Sequence, residues 1–160
     1  MSYTNADGLL VITDGAQGEV NGSGLIVDNA KKYLVYDLAD ATTLTDAPNT
    51  PVANDPYIPA GSFVTGAWLL VETAFTSGGS ATLDVGLQEL DGTEIDDDGL
   101  DADIAVAALA ANKGVVMNGA LAASQTALMS ADAYVSISYE TAAFTAGAAK
   151  IVVEYISTGV

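Results

Sequence analysis

The stretch DGTEIDDDGLDAD, Asp91 to Asp103, carries seven acidic side chains in thirteen positions. Carboxylates at that density could hold a cation or work as an acid–base pair. Within it, EIDDDG (94–99) matches the first half of an EF-hand calcium loop. Glu94, Asp96 and Asp98 would take loop positions one, three and five, and Gly99 the turn. The second half fails: Leu100 offers only its carbonyl, and Ala105 stands where a bidentate glutamate is required. Calcium takes about six to eight oxygens, so water, a partner chain, or Asp101 and Asp103 would have to complete the set. A solvated acidic turn is the simpler reading. Glu94, Asp96 and Asp98 remain the metal candidates, calcium is the ion they would suit, and no cofactor is expected.

Other chemistries fare worse. Glycoside hydrolysis needs two carboxyls roughly 5–10 Å apart across a sugar cleft, whereas the acids here fall in loops or on outward strand positions, with one tryptophan to stack a sugar. The chain has no histidine, cysteine or arginine, which removes the commonest general base, thiolate chemistry and bidentate phosphate recognition. No GxSxG, P-loop or dinucleotide fingerprint occurs. The protein is not expected to be an enzyme. Its basic residues are four lysines against a net charge of −17, so it repels a DNA backbone and an anionic lipid surface alike. Neither nucleic acid nor a membrane is therefore expected as a partner. Apolar runs such as AWLLV (67–71) fall far short of the roughly twenty residues that span a bilayer. The N-terminus lacks the basic start of a signal peptide, so synthesis in the cytoplasm is expected.

The elements that would position these residues read as short strands between Gly, Asn, Asp and Pro. GLLVIT (8–13), LIV (25–27) and KKYLVYDL (31–38) come first, with turn-rich DGAQGEVNGSG (14–24) among them. In SFVTGAWLLVETAF (62–75), Phe63, Ala67, Leu69, Val71 and Phe75 share one face and Val64, Trp68 and Leu70 the other, predicting a strand covered on both sides with Trp68 in the core. ATLDVGLQ (81–88) alternates with Ala81, Leu83, Val85 and Leu87 inward. DAYVSISYE (132–140) and AGAAKIVVEYI (146–156) repeat the pattern. TSGGS (76–80) and TAAFTAG (141–147) suit hairpin connections. The tyrosines Tyr33, Tyr36, Tyr134, Tyr139 and Tyr155 read as sheet packing, with Tyr33 and Val35 inward. Alanine-rich DADIAVAALAANKG (101–114), between an Asp N-cap and Gly114, predicts one short helix, although Ile104 and Val106 also fit a strand period.

One segment has no periodicity. ADATTLTDAPNTPVANDPYIPAG (39–61) holds all four prolines and reads as a long surface connection or arm. Pro48, Pro51, Pro56 and Tyr57 are its candidates for contact with a neighbouring subunit. The whole, residues 1–160, is expected to be one all-β domain: an antiparallel β-sandwich or jelly-roll with one short helix.

The assembled segments resemble a group of small tailed-phage virion structural proteins of the capsid decoration, or cement, type. The resemblance runs through YTNADGLLV (3–11), YIPAGSFVTGAWLLVETAF (57–75), ATLDVGLQELDGTEID (81–96) and YVSISYETAAFTAGAAKIVVEYI (134–156). In such proteins IPAG precedes a long strand that TAF ends, an LDVG strand follows, and a TAG turn leads into a final V-x-Y strand. The resemblance implies a sandwich bound to the exterior of a phage head, stabilising it and partnered by the major capsid protein and by other copies of itself, a trimer being one grouping open to it. It carries over no catalytic or binding residues. Two other functions compete: a tail, vertex-fibre or knob component of the virion, and a secreted or surface adhesion module with calcium-dependent sugar binding through tyrosines.

Overall fold

The computed structural model describes residues 2–4, 10–12, 31–124 and 128–157. β1 (Ser2–Thr4) and β2 (Leu10–Ile12) form a small antiparallel pair. The strand expected at 25–27 and the turns at 14–24 lie outside the described residues. The rest is built from β3 (Lys32–Leu38), β4 (Tyr57–Ile58), β5 (Ser62–Ser77), β6 (Thr82–Gln88), β7 (Glu94–Ala105), β8 (Lys113–Met117), β9 (Ala133–Glu140) and β10 (Phe144–Ser157), with one helix, α1 (Ala120–Ser124). These strands form two antiparallel sheets, β3-β10-β5-β8 and β4-β9-β6-β7. Following the chain, it crosses between sheets at every connection except β6–β7. That alternation, with first and last strands adjacent, is the jelly-roll wrap.

Alternation in the sequence explains the core. Leu83, Val85 and Leu87 of β6 are buried against Val135 and Ile137 of β9. From the other sheet, Leu69 and Val71 of β5 and Ile151 and Val153 of β10 join them in one contiguous apolar cluster. Two expected hairpins prove to be arches. β5 and β6 belong to different sheets, as do β9 and β10, so 76–80 and 141–147 carry the chain across the sandwich. The arches lie together: Ser77 donates to the Ala143 carbonyl at 2.9 Å, and the Thr76 and Thr145 hydroxyls are 2.8 Å apart. Beneath them Phe144 meets Phe75 and Tyr139 edge-on, closing that end of the core.

The helix expected over 101–114 is replaced by strand. Ile104 pairs with Leu83 and Asp101 with Val85, so Leu100 and Ile104 are buried by sheet pairing that overrides alanine's helical preference. A single 3-10 turn, Val106–Ala108, then places Leu109 in the core. From there the Leu109 carbonyl accepts from Phe75 N, and Asn112 N donates to the Val71 carbonyl. The helix lies at Ala120–Ser124 instead.

β5 is also not covered on both faces. Ala67, Leu69, Val71 and Phe75 are buried, whereas Leu70 is 44% exposed and Trp68 half-buried on the outer face. The register slips between Glu154–Gly66 and Tyr155–Val64, and this bulge exchanges the roles of Phe63 and Val64, so that Val64 is the buried one. On β3 the inward set is Leu34, Tyr36 and Leu38. Tyr33 and Val35, expected inward, are exposed, because KKYLVYDL offers apolar residues to both faces.

Segment 39–61 is tied along its length to the edge of β9. Asn49 N donates to the Ile137 carbonyl, Ile137 N donates to Asn49 Oδ1 at 2.8 Å, and Tyr139 N donates to the Thr45 carbonyl. Tyr57 and Ile58 then pair with Tyr134 and Ala133 as β4. Ala41, Pro51 and Ile58 are buried. The segment acts as a strap that caps a sheet edge.

Candidate functional site

The acidic stretch forms the outer part of β7. Leu87 pairs with Asp96 and Val85 with Asp101, so four residues, Asp97 to Leu100, bulge opposite the single residue Gly86. The Asp96–Asp97 peptide lies over Gly86, where any side chain would collide with it. Asp96, Asp97 and Asp98 thereby come together, with a carboxylate oxygen from each within 4.8 Å of the others. The cluster replaces the predicted trio: Asp97 stands in place of Glu94, on a bulged strand and not in an EF-hand loop. Nothing beyond the carboxylates marks it as a cation site.

The neighbours of the bulge are electrostatically uneasy. Burial raises the Asp84 carboxyl above its ordinary value, with Asp103, Asp98 and Asp97 adding repulsion; the Asp103 N–H, 2.7 Å away, pulls it back in part. Burial and then the proximity of Asp98 raise Asp96, and burial raises Asp101. A carboxyl raised in the folded state makes its full stabilising contribution below its unfolded value, and that contribution is lost as pH climbs through the folded value. Glu154, lowered by Lys31 and Thr65, acts in the opposite sense, but only below the ordinary glutamate range. Melting temperature, followed by circular dichroism, should therefore rise as pH is lowered from neutrality toward the ordinary carboxylate range. A flat or falling profile over that window would show that the bulge carboxyls are not strained.

The predicted contact residues divide. Pro48, Pro56 and Tyr57 are exposed on the strap, while Pro51 is buried and unavailable to a partner. Tyr57 stacks on Tyr134 at 5.4 Å. In the sequence between Pro51 and Pro56, Val52, 58% exposed, sits on a turn closed by Asp55, which accepts from Val52 N at 2.9 Å and donates its own N–H to the Val52 carbonyl at 2.8 Å. Val52 is a contact candidate that sequence reasoning missed; only its position between prolines could have suggested it.

The outer face of the β3-β10-β5-β8 sheet was missed as well. Val35, Val152, Trp68 and Val116 stand in one row across all four strands. Lys150 lies 3.3 Å from Asp37 and 3.5 Å from Glu72 on one side of the row. On the other side Glu154 accepts from Lys31 at 2.7 Å, Thr65 at 2.6 Å and Tyr33 at 3.0 Å. The even positions of 62–75 carried this signal, read as a second buried face. Among the described residues no helix is long and apolar enough to cross a membrane.

No family model and no curated protein matches this sequence. Two solved structures do match in fold. A chain in the capsid of Ralstonia phage GP4 is 18% identical, with TM-score 0.51, over 86% of this chain and 90% of that one. A chain in the capsid asymmetric unit of cyanophage Pam1 is 16% identical, with TM-score 0.54, over 91% of this chain and 97% of that one. At such identities the likeness is one of fold: the strand wrap described above is shared, nearly end to end, with two chains found in phage capsids.

Proposed function

We propose that this protein is a virion structural protein of a tailed phage, a decoration or cement protein that binds the outer surface of the head and stabilises it. The observation that carries the reading is the near end-to-end fold match to two chains from phage capsids. Fold alone does not assign function; the composition is compatible with this reading. The chain offers no histidine, cysteine or arginine for catalysis. A cement protein needs no reaction and no cofactor. It needs a rigid body and contacts repeated over a shell.

The partners in this reading are the major capsid protein and neighbouring copies of the chain, trimeric grouping included. The strap would make the shell contact through Val52, Tyr57 and the exposed Pro48 and Pro56, while the acidic bulge faces solvent and keeps nucleic acid and other virions away. Purified protein should co-sediment saturably with shells assembled from the major capsid protein of the same phage. Val52→Asp should weaken that binding about tenfold without lowering the melting temperature. Unchanged binding by folded Val52→Asp and Tyr57→Asp variants would remove the strap from the contact, and no binding by the unaltered chain would remove the decoration role.

A further inference from the structure

The row Val35–Val152–Trp68–Val116 is a flat apolar stripe on a protein whose net charge is −17. Val116 is 69% exposed, Val35 48% and the adjoining Leu70 44%. The Trp68 ring lies down over Gly66, where a Cβ would come within 3.2 Å of it. The absence of a side chain at Gly66 thus makes room for the indole, which stays half-buried on this face. An apolar stripe of this kind on an otherwise charged surface marks a contact site.

Charge indicates what the contact is with. Two of the chain's four lysines, Lys31 and Lys150, flank the stripe, facing Asp37, Glu72 and Glu154, so this face carries two positive groups against three negative and nets one negative charge. Two copies of a chain at net −17 can approach more readily on this nearly balanced face. Both signs occur on each side of the row: Lys150 with Asp37 and Glu72 on one, Lys31 with Glu154 on the other. A copy turned about a two-fold axis that runs along the row sets the exposed Lys31 of each chain against the exposed Asp37 of the other, while the valines and Trp68 meet across the middle.

We propose that this sheet face is a self-association surface, on which a second copy of the chain stacks face to face about a two-fold axis. The contact is apolar at its centre and ion-paired at its rim, the usual anatomy of a protein interface. This deepens the copy-to-copy contact of the decoration reading. It is tested on the purified chain without particles, so its failure leaves the head assignment standing.

The test is sedimentation equilibrium of the unaltered chain and of Val116→Glu and Val35→Glu, from about 1 to 200 µM, at low and high salt. Both substitutions replace exposed side chains, and circular dichroism melts confirm that each variant folds. The unaltered chain should be dimeric in the upper part of that range, more so at high salt, because screening removes residual repulsion and leaves the apolar centre. Each variant should dissociate at least tenfold more readily. Trp68, the chain's one tryptophan, gives an independent readout: its acrylamide quenching should fall as dimer forms and stay high in both variants. A chain that stays monomeric throughout overturns the proposal. So does a trimer, or any oligomer that survives both substitutions.

Discussion

Replacing Gly86 by alanine is expected to destabilise the domain by about 3 kcal/mol or more, in the upper range of what overpacking costs. Gly86 sits in the middle of β6, where glycine ordinarily weakens a strand. It is there because the Asp96–Asp97 peptide crosses directly over it, and the new Cβ would sit on the Asp96 carbonyl oxygen and the Asp97 carbonyl group. Those atoms are backbone and cannot turn aside as a rotamer would. The bulge is also pinned on both sides, by Leu87–Asp96 and Val85–Asp101. Relief would require peeling β7 away, which uncovers Leu100 and Ile104. Urea unfolding followed by circular dichroism measures the effect. A loss below about 1 kcal/mol would mean that the bulge yields easily and that Gly86 does not hold the acidic stretch in place.

The strap offers the second large effect. Asn49→Ala should cost about 2 kcal/mol, because it removes the Oδ1 that accepts from Ile137 N at 2.8 Å and from Gln88 Nε2 at 3.3 Å. Gln88 is 3% exposed, and its other acceptors are the Asn49 and Val135 carbonyls, so it keeps partners; Ile137 N does not. Asn49→Asp preserves the acceptor in the same shape, and both groups facing it are donors. It should retain most of the stability that alanine loses. Equal losses in the two variants, read from urea midpoints, would show that Asn49 acts through packing and not through the β9 edge. Deleting 39–56 would therefore strip the β9 edge and the buried Ala41 and Pro51 together, so point changes on the strap's exposed tip are the cleaner probes of function.

Legibility in the sequence followed how local the cause was. The alternation of Leu83, Val85 and Leu87, and of Val135 and Ile137, records a half-buried sheet directly, and those strands lie where it predicts. The all-β class and the sandwich follow from such segments. Pairing is less local. TSGGS has hairpin composition, yet whether the strands around it pair or part depends on β10 lying between β3 and β5, which no short window contains. The same holds for 101–114, where alanine content favours a helix and the pairing of Ile104 with Leu83 decides otherwise. One extra residue near Thr65–Gly66 sufficed to exchange Phe63 and Val64.

The candidate sites were legible in composition and not in geometry. Acid density pointed to 91–103, but the bulge that gathers Asp96, Asp97 and Asp98 depends on Gly86, across a strand pair. Proline content singled out 39–61, but its binding to β9 runs through backbone groups and Asn49, which carry no composition signal. The Trp68 face was hidden because an apolar residue on a strand reads as buried until the sheet's outer side is known.

The decoration role would be tested most directly by quantitative mass spectrometry of gradient-purified virions of the encoding phage, taking the molar ratio of this chain to the major capsid protein. A ratio near one, or a simple fraction of it, is the predicted result, since contacts repeated over the shell require a copy number set by the shell. A few copies per particle would contradict decoration and favour a tail or vertex component. Absence from the particle would contradict the virion role itself.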